Sequence, residues 1–263
     1  APRLLSGDNG LQTNLSSGTY KEGTVMDIIL KFTEPVVCNS GANIGLSNGG
    51  TAVYSSGSGT NTLTFRYTVQ PGHDTSSPLT ITRWIQSGYV KDHAGNSFTE
   101  SRSGKIKNKN IYIDTKTPTV TECTSSNGDG FYKAGDVISI QLKFSKNVTV
   151  HQAPVLKLNT GRDAVYKSGS GTDTLTFEYT IQAGDNTIKL DVLEIAGGDV
   201  QDAAGHATDR DLSKGSTFGS KKNIRIDTQG PAIVSWNHGS DINEYKKTHP
   251  ISVTVSDNIS GID

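Results

Sequence analysis

Several carboxylates in this 263-residue chain stand where they could do chemistry. Asp92 and Asp202 each open an Asp-x-x-Gly stretch, and Asp114 and Asp227 each open Asp-Thr-x-x-Pro. Glu22, Asp74, Asp136, Asp185 and Asp257 lie within two residues of Gly or Asn, which mark turns. Carboxylates that converge can hold a hard cation such as calcium, which takes six to eight oxygen ligands at about 2.3–2.6 Å. An Asp in a loop has a second use, accepting hydrogen bonds from the N–H groups of its own turn. The sequence leaves both uses open. Acid–base or nucleophilic chemistry is poorly served. None of His73, His93, His151, His206, His238 and His249 recurs at one place in both repeats described below. None has zinc-motif spacing, and there is neither a Gly-x-Ser-x-Gly elbow nor a phosphate-cradling glycine loop. The chain therefore reads as non-catalytic.

The elements that must position these residues are written twice. Residues 51–70, TAVYSSGSGTNTLTFRYTVQ, return without a gap 112 positions later as residues 163–182, DAVYKSGSGTDTLTFEYTIQ. A period of about 110 residues is domain-sized, larger than a solenoid repeat. Leu63, Phe65, Tyr67 and Val69 alternate with Thr64, Arg66 and Thr68, as Leu175, Phe177, Tyr179 and Ile181 alternate with Thr176, Glu178 and Thr180. Period two predicts strands with one buried and one wet face. The Ser-Gly-Ser-Gly ahead of each predicts a hairpin turn. Upstream, Ile28, Leu30 and Phe32 share one face of a strand over residues 25–32, echoed by Ile138, Ile140, Leu142 and Phe144. Each repeat closes on Ile-x-Ile (Ile111, Ile113; Ile224, Ile226), then the Asp-Thr-x-x-Pro stop.

The expected architecture is all-β: tandem immunoglobulin-like Greek-key β-sandwiches of roughly seven antiparallel strands each, arranged end to end. Repeat one covers residues 1–117 and repeat two 118–230. Residues 231–263 begin a truncated third, where Ile251, Val253 and Val255 alternate with Ser252 and Thr254. An apolar share of 33% is low, which suits thin sandwiches that bury one face of each strand. A net charge of −1 without a basic run argues against nucleic acid as a partner. No apolar run approaches the roughly 18–20 residues needed to span a bilayer. Cys38 and Cys123 read as free thiols or small core residues, with a disulfide between them open.

Together, Tyr-x-x-Gly-Asp (with Thr24 in place of the Asp in repeat one), Ala-x-Tyr-x-Ser-Gly-Ser-Gly-Thr-x-Thr-Leu-Thr-Phe, Asp-x-x-Gly-Asn and Ile-Asp-Thr-x-x-Pro resemble the bacterial immunoglobulin-like, cadherin-like tandem repeats of large extracellular adhesin-type surface proteins. The resemblance implies an extracellular stalk or adhesive segment with calcium at its domain junctions. In a seven-stranded sandwich the loops alternate between the two ends. At the first junction this would gather Glu22, Asp74 and Asp114 with Asp202 of the next repeat. At the second it would gather Asp136, Asp185 and Asp227 with Asp257, and with Asp263 further along. His206 stands where Asn96 stands in repeat one, a departure from the pattern. The expected partners are neighbouring repeats of the same chain, a glycan or cell-surface protein, or another copy of the chain. The alternative role is a glycan- or protein-binding module of a larger secreted protein. Trp84, Tyr89, Tyr112 and Trp236 would be its aromatic platforms, with packing the commoner fate of a lone Trp.

Overall fold

The computed structural model describes residues 1–106, 109–238 and 251–257. Contacts divide the chain into two compact units, Ala1–Thr117 with Ala203–His206, and Pro118–Asp202 with Ala207–Asp263. Each is β-sandwich-like and built on one curled, mainly antiparallel sheet.

The strands of the first unit are β1 (Leu11–Thr13), β2 (Gly18–Tyr20), β3 (Val25–Cys38), β4 (Asn43–Leu46), β5 (Thr51–Ser56), β6 (Thr60–Thr68), β7 (Thr80–Arg83), β8 (Val90–Asp92), β9 (Gly104–Lys105) and β10 (Ile111–Ile113). The sheet runs β1-β3-β6-β5-β4-β7-β9, and β8 pairs with β3. The second unit has β11 (Val120–Ser125), β12 (Gly130–Tyr132), β13 (Val137–Gln152), β14 (Val155–Leu158), β15 (Asp163–Ser168), β16 (Thr172–Thr180), β17 (Val192–Ala196), β18 (Asp199–Gln201) and β19 (Ile224–Ile226). Its order, β11-β13-β16-β15-β14-β17 with β18 on β13, repeats the first. A hairpin of β20 (Ala232–His238) and β21 (Ile251–Ser256) follows.

The alternating residues face inward as their period demands. Ile28, Leu30, Leu63 and Phe65 are fully buried, as are Ile140, Leu142, Phe177 and Leu175. The pairing register is also copied. Ile28 lies opposite Phe65 and Leu30 opposite Leu63, as Ile140 lies opposite Phe177 and Leu142 opposite Leu175. Both long strands shift register partway, between Lys31 and Val36 and between Lys143 and Val148. Pro35 sits in the first of these shifts, where a missing N–H costs the ladder nothing. Past the shift, residues 36–38 pair with β8. Each long strand is thus much longer than the expected segment, because its second half serves a different neighbour.

The repeated Ser-Gly-Ser-Gly turn has a definite chemistry. The Ser58 N–H donates to the Tyr54 hydroxyl at 2.8 Å, and the Ser58 hydroxyl accepts from the Cys38 N–H at 3.0 Å. In the second unit the Ser170 N–H donates to Tyr166 at 3.0 Å, and Ser170 accepts from the Val150 N–H at 2.9 Å. Gly57 and Gly169 hold φ of +105° and +109°, and a Cβ at either would fall 1.9 or 2.1 Å from a backbone oxygen. Only glycine fits there.

Two pairings depart from the all-antiparallel expectation. β10 runs parallel to β2, and β19 runs parallel to β12. A period-two pattern sets which face is buried and carries no sign of strand direction. A four-residue helix, α1 (Phe218–Lys221), seats the buried Phe218 in the second core; it is too short to show a helical period. Cys38 and Cys123 are free and buried. Burial pushes their thiols up to about 11 and about 12, so both act as small core residues.

Candidate functional site

Most of the predicted acidic ligands have work inside their own loops. In the Asp92 turn, Oδ1 accepts from the Ala94 N–H at 3.0 Å and the Asn96 N–H at 2.8 Å, and Oδ2 accepts from the Asn96 amide at 2.8 Å. Hydrogen bonding from Asn96, chiefly, holds this carboxyl below the usual range. Asp114 Oδ1 accepts from the Lys116 N–H and Asp227 Oδ1 from the Gln229 N–H, both at 3.0 Å. Asp136 Oδ2 accepts from the Lys133 N–H at 2.9 Å. Asp202, buried in the second unit, pairs with Lys146 at 3.2 Å.

Asp74 is a loop clasp. Its Oδ1 accepts from both the N–H and the hydroxyl of Thr115 at 2.7 Å, with Lys116 at 3.4 Å from Oδ2. In the second unit Asn186 makes the same two contacts with Thr228, at 2.9 and 3.1 Å. A neutral amide performs the duty, so the charge of Asp74 is not what the clasp needs.

Within the first unit as its contacts define it, Glu22 meets His206, with Oε2 and Nε2 2.8 Å apart. The imidazole holds the Glu22 carboxyl below the usual range, mainly by that hydrogen bond. A carboxylate oxygen of Asp114 lies within 4.8 Å of a ring nitrogen of His206. Glu22 and Asp114 are therefore brought near one imidazole, whereas Asp74 is spent on Thr115. Calcium prefers an all-oxygen shell, which this nitrogen interrupts.

The second unit offers the oxygen-rich alternative. Asp136, Asp227 and Asp257 line one cavity of about 370 Å³, together with Phe131, Tyr132, Lys133, Gln229 and Pro231. Three loops supply the acids: the turn between β12 and β13, the segment after β19, and the residue after β21. Arg225 lies over the Phe131 ring, 5.1 Å from its centroid, beside this cavity. Asp263 lies outside the described residues.

Asp185 does not join them. It is buried, and its Oδ1 accepts from Arg162 Nε at 2.9 Å. Its Oδ2 accepts from the Tyr179 hydroxyl at 2.8 Å and the Gln182 N–H at 2.9 Å. Burial alone would raise this carboxyl, but Arg162 and the other donors hold it below the usual range. The Tyr179 hydroxyl is pushed up to about 12, first by burial and also by Asp185. The sequence reading missed this triad, although its one signal was visible: Arg162 stands opposite Gly50, and Asp185 opposite His73, at the common offset of 112.

Of the aromatic platforms, Trp84 is 9% exposed and packs in the first core. Tyr89 and Tyr112 are half-buried, and the side chain of Trp236 lies outside the described residues. The sequence matches no protein-family model and no curated protein.

Proposed function

We propose that the chain is a non-catalytic structural or adhesive segment of an extracellular protein, an array of immunoglobulin-like Greek-key sandwiches arranged end to end. The observation that carries this reading is how closely the two units repeat one scaffold. Register, core residues, strand bulge and the Tyr–Ser hairpin lock recur in both units, while the polar loop residues diverge.

Calcium is proposed at the acidic cavity of the second unit. Asp136, Asp227 and Asp257 fit a hard cation by donor type, since all three offer carboxylate oxygen. Bound there, the ion would add a shared ligand to the three segments that supply the acids, beside the Asp227 N–H bond to the Tyr132 carbonyl at 2.9 Å. Thermal unfolding with excess calcium against excess chelator tests this. A ligand at 100 times its Kd that binds only the folded state adds about 2.7 kcal/mol. The second unit should then melt on the order of 10 °C higher. Asp227→Asn should abolish the shift and Asp74→Asn should keep it. Superimposable curves in calcium and chelator would remove calcium from the account.

A further inference from the structure

The first unit carries a cleft at a place where its duplicate sets an ion pair. Thr51, Val53, Arg66, Thr68, Gln70 and His73 line it, around a volume of about 530 Å³. At the offset of 112, Gly50 at its floor corresponds to Arg162, Arg66 to Glu178 and His73 to Asp185. In the second unit the Arg162 side chain reaches across to Asp185. In the first unit glycine stands at that place, and two acids of the duplicate are replaced by a guanidinium and an imidazole. Among the described residues, no acid lines the cleft.

The donors there are set by a closed network. The Gly50 N–H donates to Asn48 Oδ1 at 3.1 Å, which fixes Asn48 Nδ2 as the donor to the Tyr67 hydroxyl at 2.9 Å. Tyr67 keeps its own proton free to give His73 Nδ1, 2.9 Å away. In the tautomer that accepts this bond at Nδ1, the ring carries its N–H on Nε2. The Tyr67 ring stacks on the imidazole at 15° and keeps its plane fixed. Arg66 uses Nε and Nη2 on Asp27, at 2.8 and 3.1 Å, and its remaining N–H groups are the donors it can offer.

We propose that this cleft binds a carboxylate-bearing saccharide. Arg66 and the His73 Nε2–H would take the carboxylate, as a guanidinium and a fixed N–H commonly do. The hydroxyls of Thr51 and Thr68 and the Gln70 amide suit sugar hydroxyls, and Val53, 53% exposed, offers an apolar contact. A peptide is the poorer fit. β5 and β6 are interior strands with neighbours on both sides, so no ladder edge is open for strand addition.

The test is calorimetric titration of the whole chain with cellobiouronic acid, with cellobiose, and with tetraglutamate. Cellobiouronic acid should bind saturably and at least tenfold more tightly than cellobiose or tetraglutamate. Arg66→Glu should abolish binding, and the double variant Gly50→Arg, His73→Asp should abolish it by rebuilding the duplicate's ion pair. A Cβ at position 50 would meet the Tyr67 ring at 2.6 Å, so the double variant can fail to fold. Arg66→Glu removes an exposed side chain and its surface pair with Asp27, outside the core, and decides the matter alone. Absence of saturable binding, equal binding of cellobiose, or binding that survives Arg66→Glu overturns the proposal. Tetraglutamate binding as tightly as the sugar acid also overturns it, in favour of a protein side chain as the ligand.

Discussion

Asp185 and His73 show how one position serves two ends. Both meet a core tyrosine hydroxyl, Tyr179 or Tyr67, and both lie in the loop that follows β16 or β6. The carboxylate captures Arg162; the imidazole lines a cleft. Asp185 also makes acid stability a property of the second unit. Its folded pKa is depressed, so its stabilisation is complete above the unfolded value of about 3.9 and is lost as pH falls through the lower folded value. Asp185→Asn should cost about 1–3 kcal/mol at neutral pH, because buried donors lose their charged acceptor. Below about pH 4 the gap between variant and parent should narrow. Chemical denaturation of the second unit at pH 7 and at pH 3 measures both. An equal difference at the two pH values would mean that the Asp185 charge contributes nothing.

At the scale of elements, the strands and the hairpin were legible because they rest on local rules. Leu63, Phe65 and Tyr67 alternate with threonines, and alternation fixes their face. Gly57 and Gly169 announced a turn, and their φ values require glycine. What could not be read was pairing at a distance. Nothing in Ile111-Tyr112-Ile113 says that it runs parallel to β2, and nothing in residues 36–38 says that they leave for β8. The acidic residues were legible as a set and illegible as partners. Asp185 looks like Asp136 in sequence, yet Arg162 claims it. The hairpin lock yields a paired prediction. Gly57→Ala and Gly169→Ala should each cost about 2 kcal/mol or more, since each combines a positive φ with a Cβ against a carbonyl. Each loss should fall on its own unit's unfolding transition in a denaturant titration. A cost in only one copy would show that the turns are not equivalent.

For the whole molecule, the proposed role sets two copies of one scaffold in a load-bearing array. The copies share register and core, yet differ at the polar positions where a ligand or ion would bind. Stability should therefore be similar in the two units, and specialisation should be local. Single-molecule pulling of the chain between its ends tests this most directly. The account predicts two separate unfolding events, each releasing roughly 110 residues, or about 370 Å of contour at about 3.4 Å per residue. It predicts comparable forces for the two, with calcium raising the force of one event. A single event, or one unit that opens without measurable resistance, would contradict it.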